Sequence, residues 1–295
     1  MDMTACCLRL IKTGLAIAAI CCVSFAVAPQ DKFFDSAGVR IHYLEEGAGD
    51  TVVLLHGYTN RADDWIRNGV FAAVAKNYHT IAIDCRGHGQ SDKPHDPRQY
   101  GREMGRDVIR LLDFLGIERA HIVGYSMGAQ IVAQLVALNP ERFHSGVLGG
   151  ASGRWAWSAD DERLAELEAM EMEQRMLRSL LLRVAPPNGT APSEEQIKQE
   201  SERRLAGLDT TALAAVRRSM RDTVVAPAQI AAIKIPMMGI VGRADPALKD
   251  FRELQKLLPT IQLEIINDAS HTAAPARPEF ARAVLRFLEA SSARR

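Results

Sequence analysis

The chain has 295 residues, with 36 basic and 36 acidic side chains and 47% apolar residues. That is enough apolar material for one large domain or two smaller ones, and too much for a disordered chain. Zero net charge without a long Lys/Arg run excludes a nucleic-acid protein held by a basic face, and the lack of heptads or an internal period excludes coiled coil and solenoid.

Arg9 and Lys12 precede an apolar run from Leu15 to Ala28, and the small residues Ser24, Ala26 and Ala28 close it. A positive start, an apolar run and a small-x-small end read as a secretory signal peptide over residues 1–28, cut after Ala26 or Ala28. The run is shorter than the roughly 20 residues of a membrane span. The expected location is therefore periplasmic or extracellular, with an uncleaved N-terminal membrane anchor as the alternative. Cys6, Cys7, Cys21 and Cys22 all fall here and only Cys85 lies beyond, so the body carries neither a disulfide framework nor a zinc spacing.

From Lys32 the chain reads strand, turn, strand. Phe33-Phe34 leads to a turn at Ser36-Ala37-Gly38, and Val39 to Tyr43 then alternates with period two. The runs Thr51–Leu55, His79–Ile83 and His121–Tyr125 are almost wholly apolar, as strands buried on both faces are. Met104, Val108, Leu111, Leu112 and Leu115 recur at helical spacing, and a second helix follows residue 126. Alternating strands and helices imply a doubly wound α/β sheet. Residues 154–226 break the pattern and read as a helical insertion, a cap. Leu164, Leu167, Leu177, Leu180, Leu181 and Val184 mark one amphipathic helix, ended by Pro186-Pro187-Asn188-Gly189; Ser193 with Gln196 caps a second and Asp209 a third. Met170, Met172 and Met176 read as packing within it. Asn188-Gly189-Thr190 is a glycosylation sequon, meaningful only in a eukaryotic secretory route. Strands resume at Pro236–Val241 and Gln262–Ile266, and a last helix starts at Pro278. The core is thus residues 29–153 and 227–295.

Gly124-Tyr125-Ser126-Met127-Gly128 follows a buried strand and opens a helix, the pattern G-x-S-x-G. A serine there sits in a strained turn that lifts its hydroxyl above the sheet, and Gly124 and Gly128 leave room for the tight junction. A nucleophilic serine needs a base, and the base an orienting acid. Of eight histidines, only His271 lies in a loop directly after a late buried strand. Asp245, just beyond the strand ending at Val241, is the acid candidate; Asp268, three residues before His271, more readily shapes that loop. Ser126, Asp245 and His271 all fall at C-terminal ends of strands, where open α/β sheets place their sites. The oxyanion donors are the N–H groups of Met127, after the nucleophile, and Tyr58, in the loop after the first buried strand. His56 reads as a brace for that loop. Asp84, Cys85 and His88 have no partner cluster, so Asp84–Ser91 reads as a structural crossover without metal.

Together, His56-Gly57, Asp84-x-Arg86-Gly87-His88-Gly89-x-Ser91, the G-x-S-x-G at Ser126, Gly242-x-x-Asp245-Pro246 and His271 resemble the α/β-hydrolase superfamily, in its capped branch of esterases, C–C bond hydrolases and non-haem haloperoxidases. The resemblance covers roughly residues 32–150 and 227–290. It implies an eight-stranded, mostly parallel sheet with helices on both faces, a helical cap after the sixth strand, the order Ser, acid, His, and no cofactor. Dehalogenases and epoxide hydrolases of this superfamily use an Asp nucleophile, and Ser126 argues against both. Ser270, where Gly often precedes the family's His, is a mild departure. The expected activity is hydrolysis of small soluble carboxylic esters through an acyl-enzyme. The same machinery serves C–C, lactone, thioester or amide cleavage or acyl transfer, and a non-catalytic ligand receptor is a third class. The amphipathic cap is expected to roof a closed, mostly apolar pocket of small-ligand size.

Overall fold

An apolar run with no polar alternation has no face to give to water, so the short runs of this chain assemble as the middle of one sheet. The computed structural model describes residues 29–293; the expected signal segment lies outside them. Eight strands form the sheet: β1 Gln30–Asp35, β2 Arg40–Glu46, β3 Thr51–Leu55, β4 His79–Ile83, β5 Ala120–Tyr125, β6 Phe143–Gly149, β7 Met237–Gly242 and β8 Gln262–Ile266. Their order is β1-β2-β4-β3-β5-β6-β7-β8. β1 and β2 pair antiparallel, β2 joins β4 antiparallel, and every later pairing is parallel. This is the α/β-hydrolase fold. Every residue of β3, β5 and β7 is buried.

Helices cover both faces. They are α1 Asp63–Arg67, α2 Val70–Ala75, α3 Arg102–Phe114 and α4 Met127–Leu138, then five between β6 and β7, α5 Ala159–Glu173, α6 Arg178–Arg183, α7 Glu194–Leu205, α8 Thr210–Arg218 and α9 Pro227–Ala231, and finally α10 Leu248–Leu257 and α11 Pro278–Ser292. Leu55, Ile83 and Ile122 on one face pack with Leu111 of α3 and Val132 of α4. Val52, Leu54 and Val123 on the other pack with Trp65 of α1, Phe71 of α2 and Phe280 of α11.

The insertion between β6 and β7 is helical, as its sequence suggests, but its first helix is not continuous. α5 stops at Glu173, Arg175 takes a left-handed φ of 58°, and α6 restarts after Leu177. The leucine spacing runs across this break in the sequence, but the leucines do not share one buried face: Leu177 and Leu180 are buried. Leu167 is left 46% exposed, while Ala165, Glu168, Ala169 and Met172 turn inward. The capping box at Ser193 and Gln196 and the Asp209 cap are both formed. Within the insertion Met172, Leu177, Leu205 and Leu213 make a separate small apolar core. Several bonds tie it down, among them Tyr58 Oη donating to Leu213 O at 2.7 Å, Gln134 Nε2 to Asp222 O at 2.7 Å and the Gly101 N–H to Ser219 Oγ at 3.0 Å, while the Val225 N–H donates to Arg154 O at 2.9 Å and closes the two ends of the insertion on each other.

Below the site, the segment after β4 is anchored by a buried ion pair. Arg86 Nε donates to Asp107 Oδ2 at 2.7 Å and its Nη2 to Oδ1 at 2.5 Å, while Ser36 Oγ donates to the same carboxylate at 2.5 Å. Deleting one partner strands the other in the interior, which typically costs about 3–5 kcal/mol. Asp107→Ala should lower the unfolding free energy by about that much in urea titrations; a loss under about 1 kcal/mol, the scale of an exposed pair, would mean that water reaches Arg86.

Candidate active site

β5 ends at Tyr125 and α4 begins at Met127, leaving Ser126 as the single residue of the turn. Its backbone sits at φ 54° and ψ −112°, which an L-residue adopts only under constraint. The flanking glycines explain how the turn is reached. A Cβ on Gly124 would lie 2.3 Å from the Gly128 carbonyl, and one on Gly128 would lie 2.2 Å from Leu55 O. Any side chain at either position would push the helix off the sheet. The Ser126 N–H donates to Gly149 O at 2.7 Å, tying the turn to β6.

Two loops at the same sheet edge bring the other groups in. The Arg243 N–H donates to Ile266 O at 2.8 Å and the Ala244 N–H to Ala269 O at 3.0 Å, so the loops after β7 and β8 are stitched together. Asp245 Oδ1 accepts from the Ala247 N–H at 2.9 Å, which turns Oδ2 toward His271 Nδ1 at 2.8 Å. Nδ1 therefore carries the proton, and Nε2 is free to accept from Ser126 Oγ at 3.0 Å. Asp245 is buried and Tyr125 Oη donates to the His271 carbonyl at 2.5 Å, so acid and imidazole are held from two sides. Asp268, the rival acid, is exposed at a left-handed turn, and its carbonyl accepts from Arg277 Nη2.

Met127 is the first residue of α4, so its N–H has no partner within the helix. The loop after β3 runs alongside: a Cβ on Gly57 would lie 3.4 Å from the Ser126 Cβ, and Tyr58 follows it. His56 braces this loop, with Nδ1 donating to Gly57 O at 2.8 Å and Nε2 accepting the Cys85 N–H at 3.1 Å. Such an arrangement can move a proton from the Ser126 hydroxyl to the His271 imidazole.

Asp84–Ser91 supports the loop from beneath. Asp84 accepts from the Ala62 N–H at 2.7 Å and the Gln90 N–H at 2.8 Å, and holds His42 Nδ1 at 2.7 Å. Burial works against its charge, but His42 and those donors outweigh burial and keep the carboxyl well below its usual range. Burial likewise opposes charge on His42, and Asp84 and Asp31 overcome it, raising the imidazole above its ordinary value. His88 goes the other way: burial and the neighbouring His56 push it down to about 3. Burial lowers His56 as well and raises the Cys85 thiol.

Two chambers meet at Ser126, and Tyr58 and Leu180 line both. The one on the His271 side is a cavity of about 140 Å³ walled by Trp65, Asn68, Tyr125, Val184 and Thr272. The other, about 40 Å³, is walled by Met127, Gln130 and Met220 and by Arg154, Arg183 and Arg217. The larger chamber fits the expectation of a mostly apolar pocket, and the arginine-walled smaller one departs from it. The cap turns Glu168 and Arg217 inward, and the two are buried against each other. Residue spacing gave no signal of it, because the inward phase is set by packing against α8 and not by the leucines.

The family model of the alpha/beta hydrolase fold matches residues 50–177. The dihydrolipoyllysine-residue acetyltransferase component of the acetoin cleaving system of Cupriavidus necator is 39% identical over 115 residues, 38% of this chain and 29% of that one. The 2-hydroxy-6-oxononadienedioate/2-hydroxy-6-oxononatrienedioate hydrolase of Cupriavidus pinatubonensis is 39% identical over 118 residues, 39% of this chain and 41% of that one. The chain thus spans less than half the length of either. The enol-lactonase of Burkholderia xenovorans LB400 shares the fold, with a TM-score of 0.70 at 23% identity, covering 88% of this chain and 100% of that one.

The histidines beneath the site should titrate in opposite senses. At pH 6, ring-nitrogen NMR should find His42 mostly protonated and His56 and His88 neutral. By linkage, the stability contributed by His42 is full below its unfolded value and is lost as pH rises through its folded one. That of His88 is full above its unfolded value, near 6.5, and is lost as pH falls toward about 3. A neutral His42 at pH 6 would contradict the two-carboxylate environment.

Proposed function

The chain is a member of the α/β-hydrolase superfamily, and we propose that within it this hydrolase cleaves carboxylic esters of small soluble substrates through Ser126, His271 and Asp245. The observation that carries the reading is the continuous hydrogen-bonded line from Asp245 Oδ2 through the His271 ring to Ser126 Oγ, at 2.8 and 3.0 Å. Ser126 Oγ attacks the acyl carbon while His271 Nε2 takes its proton. Asp245 keeps the proton on Nδ1 and stabilises the imidazolium. The oxyanion lies between the N–H groups of Tyr58 and Met127. His271 then gives its proton to the departing alcohol, and water clears the acyl-enzyme by the same route in reverse. The small chambers on either side of Ser126 favour dissolved substrates over a lipid surface. The likeness to the 2-hydroxy-6-oxononadienedioate hydrolase supports a second reading, in which the same groups cleave the substrate class named for that relative.

The N-terminal pattern at Arg9, Lys12 and Leu15–Ala28 supports export, with retention at the membrane by an uncleaved segment as the other outcome. Among the described residues no helix is long and apolar enough to cross a membrane. Mass spectrometry of protein from the native host should find an N-terminus near residues 27–31; an intact Met1 terminus in cytoplasmic protein would reject export.

Ser126→Ala and His271→Ala should each lower kcat on a phenyl ester by on the order of 10⁴ or more, and the double variant should lose little beyond either, because the groups act as a unit. Asp245→Asn should fall by a similar order while Asp268→Asn stays close to wild type. The reverse pattern at the two aspartates would reassign the acid, and an active Ser126→Ala would reject the reading.

A further inference from the structure

The chamber on the Met127 side is walled by more positive charge than the protein neutralises. Arg217 is 6% exposed in its side chain, and Glu168, beside it, 2%. Glu168 is shared: it accepts from Arg183 Nε at 2.7 Å and Nη2 at 3.3 Å, and touches Arg217 Nε without hydrogen-bond geometry. The acidic contact of Arg154 is Asp161, at 3.4 Å on the solvent side, and its Nε is buried without an acceptor. Two largely buried guanidiniums, Arg154 and Arg217, and the more exposed Arg183 therefore converge on one buried carboxylate, Glu168, and the partly exposed Asp161, with Asp250 adding a more distant negative charge toward Arg154. Burial and the proximity of Arg217 and Arg183 lower Arg154 to about 10. Burying cationic groups in this proportion is costly unless an anion completes their hydrogen bonds, and a guanidinium matches a carboxylate in two-point geometry.

We propose that this chamber binds the carboxylate of an anionic acyl group, so that the substrate is a monoester of a short dicarboxylic acid. The choice of side rests on the serine-hydrolase reading above. The leaving alcohol takes its proton from His271, which lines only the other chamber, whereas Met127, one of the two proposed oxyanion donors, lines this one. The acyl group therefore points toward the arginines. The size of the chamber limits it. One water needs about 10–15 Å³ by the same measure, so about 40 Å³ admits a carboxylate and roughly two carbons beyond the ester carbonyl, the length of a succinyl group.

The test compares phenyl hydrogen succinate with phenyl 4-methylpentanoate, in which an isopropyl group replaces the carboxylate at equal shape. Wild type should favour the charged ester by about 10- to 100-fold in kcat/KM, as a site built around polar partners rejects a substrate that lacks them. Arg154→Gln should bring that ratio down toward one, while Arg286→Gln, a distant exposed arginine on α11, should leave it unchanged. Calorimetry should find succinate binding to wild type and its loss in Arg154→Gln. Arg183→Gln replaces that variant if it fails to give a folded circular-dichroism spectrum. Equal or better turnover of the neutral ester overturns the anionic chamber and leaves the esterase reading standing. If neither ester is hydrolysed, the esterase reading fails, and the calorimetry still decides the chamber: succinate binding that depends on Arg154 supports it, and no binding by wild type overturns it.

Discussion

The backbone of Ser126 is the constraint from which the rest of the site follows. A residue held at φ 54° between a buried strand and a buried helix exists only where the surroundings over-determine it. Here β3, β5 and α4 do so by approaching so closely that Gly124 and Gly128 have no room for a Cβ. The same approach places the Ser126 hydroxyl within reach of His271 Nε2 and brings the Gly57 loop alongside. Loosening the junction would displace the hydroxyl and the Gly57 loop together, because both are parts of one packed contact.

Much of this was legible in the sequence, and for an identifiable reason. Strands buried on both faces leave continuous apolar runs, so Thr51–Leu55, His79–Ile83 and the strand before Ser126 stand out. Residues at strand ends inherit their place from the sheet, which is why Ser126, Asp245 and His271 could be brought together from order alone, and the structure joins them by hydrogen bonds. Short elements were less visible. α1 and α2 are five and six residues long, too short for a helical period to emerge. The cap was misread where packing overrides pattern: its leucine spacing runs across the break at Arg175 although Leu167 is exposed and Leu177 and Leu180 are buried, while Glu168 turns inward to meet arginines distant in sequence. One-dimensional spacing carries no trace of such a long-range ion cluster.

Buried charge recurs through the molecule in two forms. Beneath the site it is matched: Arg86 with Asp107, and Asp84 with His42 and two backbone N–H groups, so these clusters fix the loops and stay inert. Above the site, under the cap, it is only partly matched: Arg183 and Arg217 share the single carboxylate of Glu168, and the Nε of Arg154 is buried without a hydrogen-bond acceptor. The two forms divide support from recognition. The sheet side supplies rigid geometry, and the cap side supplies a chemical preference in the chamber next to the nucleophile.

The central claim is that Ser126 carries the acyl group during turnover, and it is tested most directly by trapping that species. Wild-type protein quenched in acid during hydrolysis of a phenyl ester, then digested and mass-analysed, should show the acyl mass added to the peptide containing Gly124–Gly128, on Ser126 itself. An acyl adduct on another side chain, or steady turnover with no adduct on Ser126 under conditions that trap a covalent intermediate, would contradict the account.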